Sequence, residues 1–186
     1  LVASEIASLQ IQTEVHGDVA LRTASGPTML GNVHGDMALA AVTDVRAASV
    51  EGDVSINGAG NVVLGRVQGD LVAHHVNSVE VRSVAGNASV KNVSGAIDLK
   101  TIEGDLSVTS PGSALAASSV QGDASISGEL QAGGKYWINA AGDVAARIGG
   151  NVQVVVQSKG RIHTGADVQV LSEASGRLEA RIGATA

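Results

Sequence analysis

Six aspartates stand at one recurring position in the chain: Asp18, Asp36, Asp53, Asp70, Asp105 and Asp123, with Asn87 interrupting the series. If successive copies stack at the spacing of neighbouring strands, about 4.8 Å, their carboxylates form a row. Two full charges at that separation repel by about 0.9 kcal/mol in water and about 3.5 kcal/mol at an effective dielectric near 20. Raised pKa values or bound cations relieve such repulsion, and an all-oxygen donor set suits calcium, so the column is a candidate metal ladder. The competing reading, which we favour, is structural. Each Asp follows a Gly at a corner, where its side chain accepts hydrogen bonds from backbone N–H groups two residues on and the carboxylate faces water. The calcium nonapeptide repeat needs Gly-Gly-x-Gly-x-Asp, and no unit here has that pattern.

Histidines offer a second candidate. His16 and His34 share one repeat position and are expected to lie side by side, which suits a weak metal contact or a pH-sensitive one. Other units carry Glu51, Gln68, Ala85, Glu103 and Gln121 there, so the position reads as an outward polar column. His74 and His75 are adjacent in an extended segment and are expected on opposite faces, unable to share an ion. The only aromatic rings of Tyr or Trp type, Tyr136 and Trp137, fall in a unit stretched to 20 residues between Asp123 and Asp143 and read as an irregular corner rather than a binding box. The sequence contains no Gly-x-Ser-x-Gly elbow, phosphate loop or His-Glu-x-x-His helix, and Gly58-Ala59-Gly60 has Val63 where a dinucleotide fingerprint needs its third Gly. These observations argue against an enzyme and call for no cofactor.

What must position these residues is a repeat. Val15-His16-Gly17-Asp18 returns as Val33-His34-Gly35-Asp36, Val50-Glu51-Gly52-Asp53, Val67-Gln68-Gly69-Asp70, Val84-Ala85-Gly86-Asn87, Ile102-Glu103-Gly104-Asp105 and Val120-Gln121-Gly122-Asp123. Ala141-Gly142-Asp143 is a degenerate eighth copy, and Gly160 and Gly176 keep roughly the spacing afterward. Inside each unit the apolar residues alternate (Val19 and Leu21, Val54 and Ile56, Leu106 and Val108), a period of two that belongs to strands. A second alternating stretch follows, as in Val62 and Leu64 or Ile97 and Leu99, with Val42, Val76 and Val93 between the two. The expected fold is all-β: a single-stranded β-solenoid (β-helix) of about ten turns of 17–18 residues, with two to three short strands per turn and a length of about 50 Å. It forms one domain over 1–186: a partial N-terminal turn or cap at 1–14, regular repeats at 15–127, and less regular turns at 128–186 in which Leu178, Ala180 and Ile182 supply a last partial turn. A thin interior of stacked equivalents explains a core of Val, Ala, Leu and Ile with no Phe, because a large ring must be accommodated by both neighbouring turns.

The remaining composition sets limits. Eighteen acidic and twelve basic residues, net −6, are scattered singly and leave no basic stripe for a phosphate backbone, so no nucleic-acid partner is expected. No apolar run is long enough to span a bilayer as a helix. The chain opens on Leu1 with no charged-then-apolar leader behind it, and a trimmed start is expected.

The Val-x-Gly-Asp-Val-x-Val unit with Ser25-Gly26 and Ser94-Gly95 corners resembles bacterial adhesin-type β-helical repeat domains over residues 15–186, and 134–143 (Gly-Lys-Tyr-Trp-Ile-Asn-Ala-Ala-Gly-Asp) is similar to a segment often seen late in such chains. The Gly-Asp corners and 17-residue turns are also similar to bactofilins, cytoskeletal proteins whose β-helical cores join end to end without nucleotide. The first resemblance implies a non-enzymatic module at the cell surface or outside the cell, self-associating end to end and meeting a protein or glycan. The second implies a cytoplasmic filament subunit. An accessory subunit docking one flat side on a larger complex is a further expectation.

Overall fold

The computed structural model describes residues 1–149, 152–165, 168–174 and 177–182. The chain winds as a β-solenoid, and no helix occurs among the described residues. Two strands make each of the first three turns: β1 (Val2–Ile6) with β2 (Leu9–Ile11), β3 (Val19–Ala24) with β4 (Thr28–Val33), and β5 (Met37–Val42) with β6 (Val45–Val50). The next two turns are each one bent strand, β7 (Val54–Val67) and β8 (Leu71–Val84). Four more turns follow: β9 (Ala88–Val93) with β10 (Ala96–Ile102), β11 (Leu106–Thr109) with β12 (Ala114–Val120), β13 (Ala124–Glu129) with β14 (Lys135–Ala140), and β15 (Val144–Gly149) with β16 (Val152–Ser158). Then come β17 (Ile162–Thr164), β18 (Val168–Ala174) and β19 (Arg177–Ile182). Among β1 to β17 themselves every pairing is parallel and joins a strand to its equivalent one turn on, as in Val54↔Leu71, Ile56↔Ala73, Val62↔Val79 and Leu64↔Val81.

This register carries each apolar position over its equivalent. One interior column runs Val33, Val50, Val67, Val84, Ile102, Val120 and Ala140, every member buried. Another runs Val19, Met37, Val54, Leu71, Ala88, Leu106, Ala124 and Val144, and its members vary in bulk. Val15, joined to Val33 by a single bridge, extends the first column toward the N-terminal end, packed against the core. Burying one such aliphatic side chain contributes about 1.5–3 kcal/mol, so the columns supply the main stabilisation along the rod.

In each of the first eight turns the backbone bends through one left-handed residue at or near the end of the first strand, or within the bent strands β7 and β8. Glu5, Thr23, Ala41, His75, Asn92 and Ser110 have φ of 50–60°, and Gly58 and Gly128 have φ of 77° and 108°. These residues recur at the repeat spacing, yet they share no side-chain type. A non-glycine residue is held there at a cost of about 1–2 kcal/mol, so the packing on either side of the corner enforces the bend. The bend also corrects the expectation for His74 and His75. Strand alternation fails at His75, and the two rings lie edge to face with centroids 6.5 Å apart instead of on opposite faces.

Tyr136 is a second correction. Its ring is buried in the column between Leu115 and Val154. Its hydroxyl donates to the Gly112 carbonyl at 2.6 Å and accepts from the Gln131 N–H at 3.0 Å. The extra residues of the long turn form a tight loop closed by Gly134 N–H to Gln131 carbonyl at 3.0 Å. A Cβ at Gly134 would collide with the tyrosine ring and hydroxyl, so the lengthened corner accommodates the one large ring of the interior.

The expected tenth turn is replaced by an antiparallel hairpin. β19 pairs antiparallel with both β18 and β16 (Val154↔Ala180, Val156↔Leu178), so the parallel coil ends after nine turns on that side. Gly176 lies outside the described residues.

Two outcomes check these corners and columns. Tyr136→Phe leaves the Gln131 N–H and the Gly112 carbonyl without their shared partner and is expected to lower unfolding free energy by about 1–2 kcal/mol in chemical denaturation. Thr23→Gly relieves a β-branched residue at φ 60° and is expected to raise it by up to about 1 kcal/mol, the relief being partly offset by the added freedom of the unfolded chain.

Candidate functional site

The aspartate column lies at the corner leading into the first strand of each turn. Asp18 Oδ1 accepts the backbone N–H of Asp36, Asp36 that of Asp53, Asp53 that of Asp70, and Asp70 that of Asn87, at 2.6–3.0 Å. Asn87 Oδ1 accepts from Asp105 at 2.9 Å, and the chain of bonds continues through Asp123 and Asp143 to the N–H of Arg161 at 2.7–2.8 Å. The corner reading is therefore right in kind but wrong in partner: the donor sits one turn later, 17–20 residues along the chain, not two residues on.

The neighbouring backbone explains the need. From Gly52 to Gly142 the corner Gly N–H already bonds the Gly carbonyl of the turn before, as Gly52 does to Gly35 and Gly69 to Gly52, both at 3.2 Å. The next N–H, that of the Asp, has no such carbonyl to meet, and the carboxylate of the preceding turn takes it. To do so, Oδ1 lies against the α-carbon of the following turn's glycine. A Cβ at Gly52, Gly69, Gly86 or Gly122 would overlap the Asp oxygen of the turn before and crowd the Gly carbonyl beneath it. None of these four glycines has a positive φ, so close approach, not backbone freedom, selects glycine here. Gly and Asp thus depend on each other across turns, which is why they recur as a pair. Asn87 shows that the required group is an oxygen acceptor rather than a charge.

As ligands, the column carboxylates are spread along the rod. Among the described residues the one group whose donor atoms converge is Glu14, His16 and His34, with the atoms all within 4.8 Å of one another. The His16 and His34 rings stack at 4.9 Å between centroids and 12° between planes, as expected for one position in adjacent turns. Glu14 Oε2 lies 3.7 Å from His16 Nε2 and 3.6 Å from His34 Nε2, and His34 Nδ1 lies 2.9 Å from Glu51 Oε1. The hydrogen bond to Glu51, aided by the charges of Glu51 and Glu14, holds His34 above the usual imidazole pKa. At the other end, Asp143 is held below the usual carboxylate range, chiefly by the hydrogen bond from the Arg161 N–H. Glu14 was missed in the sequence because it precedes the repeat motif; only the bend of the chain before Val15 brings it beneath both imidazoles.

Two shallow grooves lie on the outer surface of the middle turns. One follows the Asp corner across successive turns and is floored by the short side chains of Ser89, Ser107, Ser125 and Ala145, with Asp105, Asp123 and Asp143 along its margin. The other lies on the second face, where Ala114 and Ala116 leave a hollow beside Trp137 and Asp98. Trp137 follows a buried tyrosine in β14, so alternation turns it outward, and it is 36% exposed.

Asp53→Asn keeps the acceptor and is expected to change stability by less than about 0.5 kcal/mol, whereas Asp53→Ala removes the acceptor of the Asp70 N–H and, at this exposed corner, is expected to cost about 0.5–1.5 kcal/mol. Gly69→Ala should cost more than either, since backbone must move to admit its Cβ. Thermal melts in millimolar calcium and in chelator are expected to coincide within about 1 °C, because calcium takes six to eight converging oxygens that the column does not gather. Compared with known proteins, the chain matches no protein family, no curated protein and no solved structure.

Proposed function

We propose that the chain is a non-enzymatic structural and interaction module, a stiff rod of the bacterial surface-associated adhesin type whose groove along the Asp corners receives an extended partner, a linear glycan or a peptide strand. The observation that carries this reading is the groove itself: it runs over the turns from Asp70 to His163, lined by small side chains such as Ser89, Ser107 and Ser125 and by Asp and Asn. An extended ligand with a repeat of its own can meet equivalent groups on successive turns, and several weak contacts then add through effective concentration. Among the described residues the turns beside the groove are joined by short corners, which suits an open binding face. The Val-x-Gly-Asp-Val resemblance supports placement at the cell surface or outside the cell.

End-to-end assembly, the bactofilin-like reading that would place the chain in the cytoplasm, ranks second. Continuing the parallel coil past β16 requires its outer edge, and β19 occupies that edge in the antiparallel sense. An accessory subunit docking through one flat face is compatible with the same groove.

Light scattering with negative-stain microscopy over a concentration series is expected to give isolated rods about 40 Å long, nine turns at about 4.8 Å. Arrays of linear glycans and extended peptides should yield ligands whose binding is lost when Ser107→Trp fills the groove. Filaments that lengthen with concentration would return the bactofilin-like reading, and ligands indifferent to Ser107→Trp would move the docking surface off this groove.

A further inference from the structure

We infer that Glu14, His16 and His34 form a surface binding site for a divalent transition-metal ion of the zinc or copper type. Two imidazole nitrogens and a carboxylate are the donor set such ions prefer, and calcium, which takes oxygens, fits it poorly. The spacing is close to what an ion needs. Bonds of about 2.0–2.1 Å in a tetrahedral site separate ligand atoms by about 3.4 Å, and Glu14 Oε2 stands 3.6 Å and 3.7 Å from the two Nε2 atoms. Both Nε2 atoms lie beside one oxygen because the strand register stacks the two rings, and the three donor atoms all lie within 4.8 Å of one another.

Glu51 supplies the part of a metal site that chance clusters lack. Its Oε1 lies 2.9 Å from His34 Nδ1, the place a carboxylate takes in a carboxylate–histidine–metal arrangement whose ligating atom is Nε2. The four residues come from three successive turns, and the column beyond them carries Gln68, Ala85, Glu103 and Gln121, so within this column the two stacked imidazoles occur at this end alone. Three protein ligands leave a coordination position open for water or for a donor from a partner. All of the groups are exposed, so an ion can enter without any rearrangement of the core.

Titration calorimetry of the whole chain with zinc and with copper at pH 7.5 is the test. One ion per chain is expected, with copper the tighter. His16→Gln and His34→Gln should each weaken binding at least tenfold, and both should fold normally, since Gln68 and Gln121 occupy the same position in other turns. Glu51→Gln should weaken binding by roughly tenfold without touching a ligand. Excess calcium should not compete. Absence of binding at millimolar metal, or binding unchanged by the His16 and His34 substitutions but lost in His74→Gln, would overturn the assignment.

Discussion

Every feature of this protein follows from the requirement that each turn return the chain to the same place one strand spacing, about 4.8 Å, along the axis. A turn that closes in register bonds its backbone to both neighbours and buries its apolar side chains against their equivalents. A turn that misses by one residue puts its whole apolar set outside. The interior therefore tolerates exchange among Val, Leu, Ile, Met and Ala within a column, because a small residue such as Ala73 can lie between Ile56 and Val90. It admits one tyrosine, and only where the turn has been lengthened to receive it.

The same requirement shapes the corners, where backbone groups do not all find one another. The Gly-Asp pair answers the shortage at one corner by lending a side-chain oxygen to the turn above. At the bend between strands a second polar ladder performs comparable work: Asn61 bonds Asp44 through both its backbone N–H and its side-chain amide, Ser78 bonds Asn61, and Ser94 bonds Asn77. Both ladders run along the rod, so a substitution at one corner is felt by the turn beyond it. Stability in such an array is a sum of neighbour terms.

The solenoid was legible because its two strongest signals, the Val-x-Gly-Asp repeat and the alternation of apolar residues, are direct products of the stacking requirement. What the sequence concealed was set between turns instead of along the chain. The partner of each Asp is 17–20 residues away, and local corner chemistry pointed to a nearer donor. The left-handed bend falls on Thr23, Ala41, His75 and Gly58 alike, so no residue type announces it; packing on both sides imposes it, and with it the outward placement of His74 and His75. Alternation identifies a strand but not its direction, which is why β18 and β19 read as more coil yet pair antiparallel. Of the candidate site, the stacking of His16 on His34 was readable from their shared position, while the contribution of Glu14 was not. Outside the core the stacking requirement relaxes, and departures from a column's usual residue, such as paired histidines or an outward Trp137, become the informative positions.

Residue-resolved hydrogen exchange of the corner amides tests the central claim most directly. The amides of Asp53, Asp70, Asp105 and Asp123 belong to exposed residues, and local corner chemistry alone would let them exchange within seconds to minutes. Stacking that gives each one an oxygen from the turn before predicts protection comparable to that of buried column residues such as Val67 and Val84. Exchange of these four amides at the rate of an unprotected loop, with the strands still protected, would contradict it.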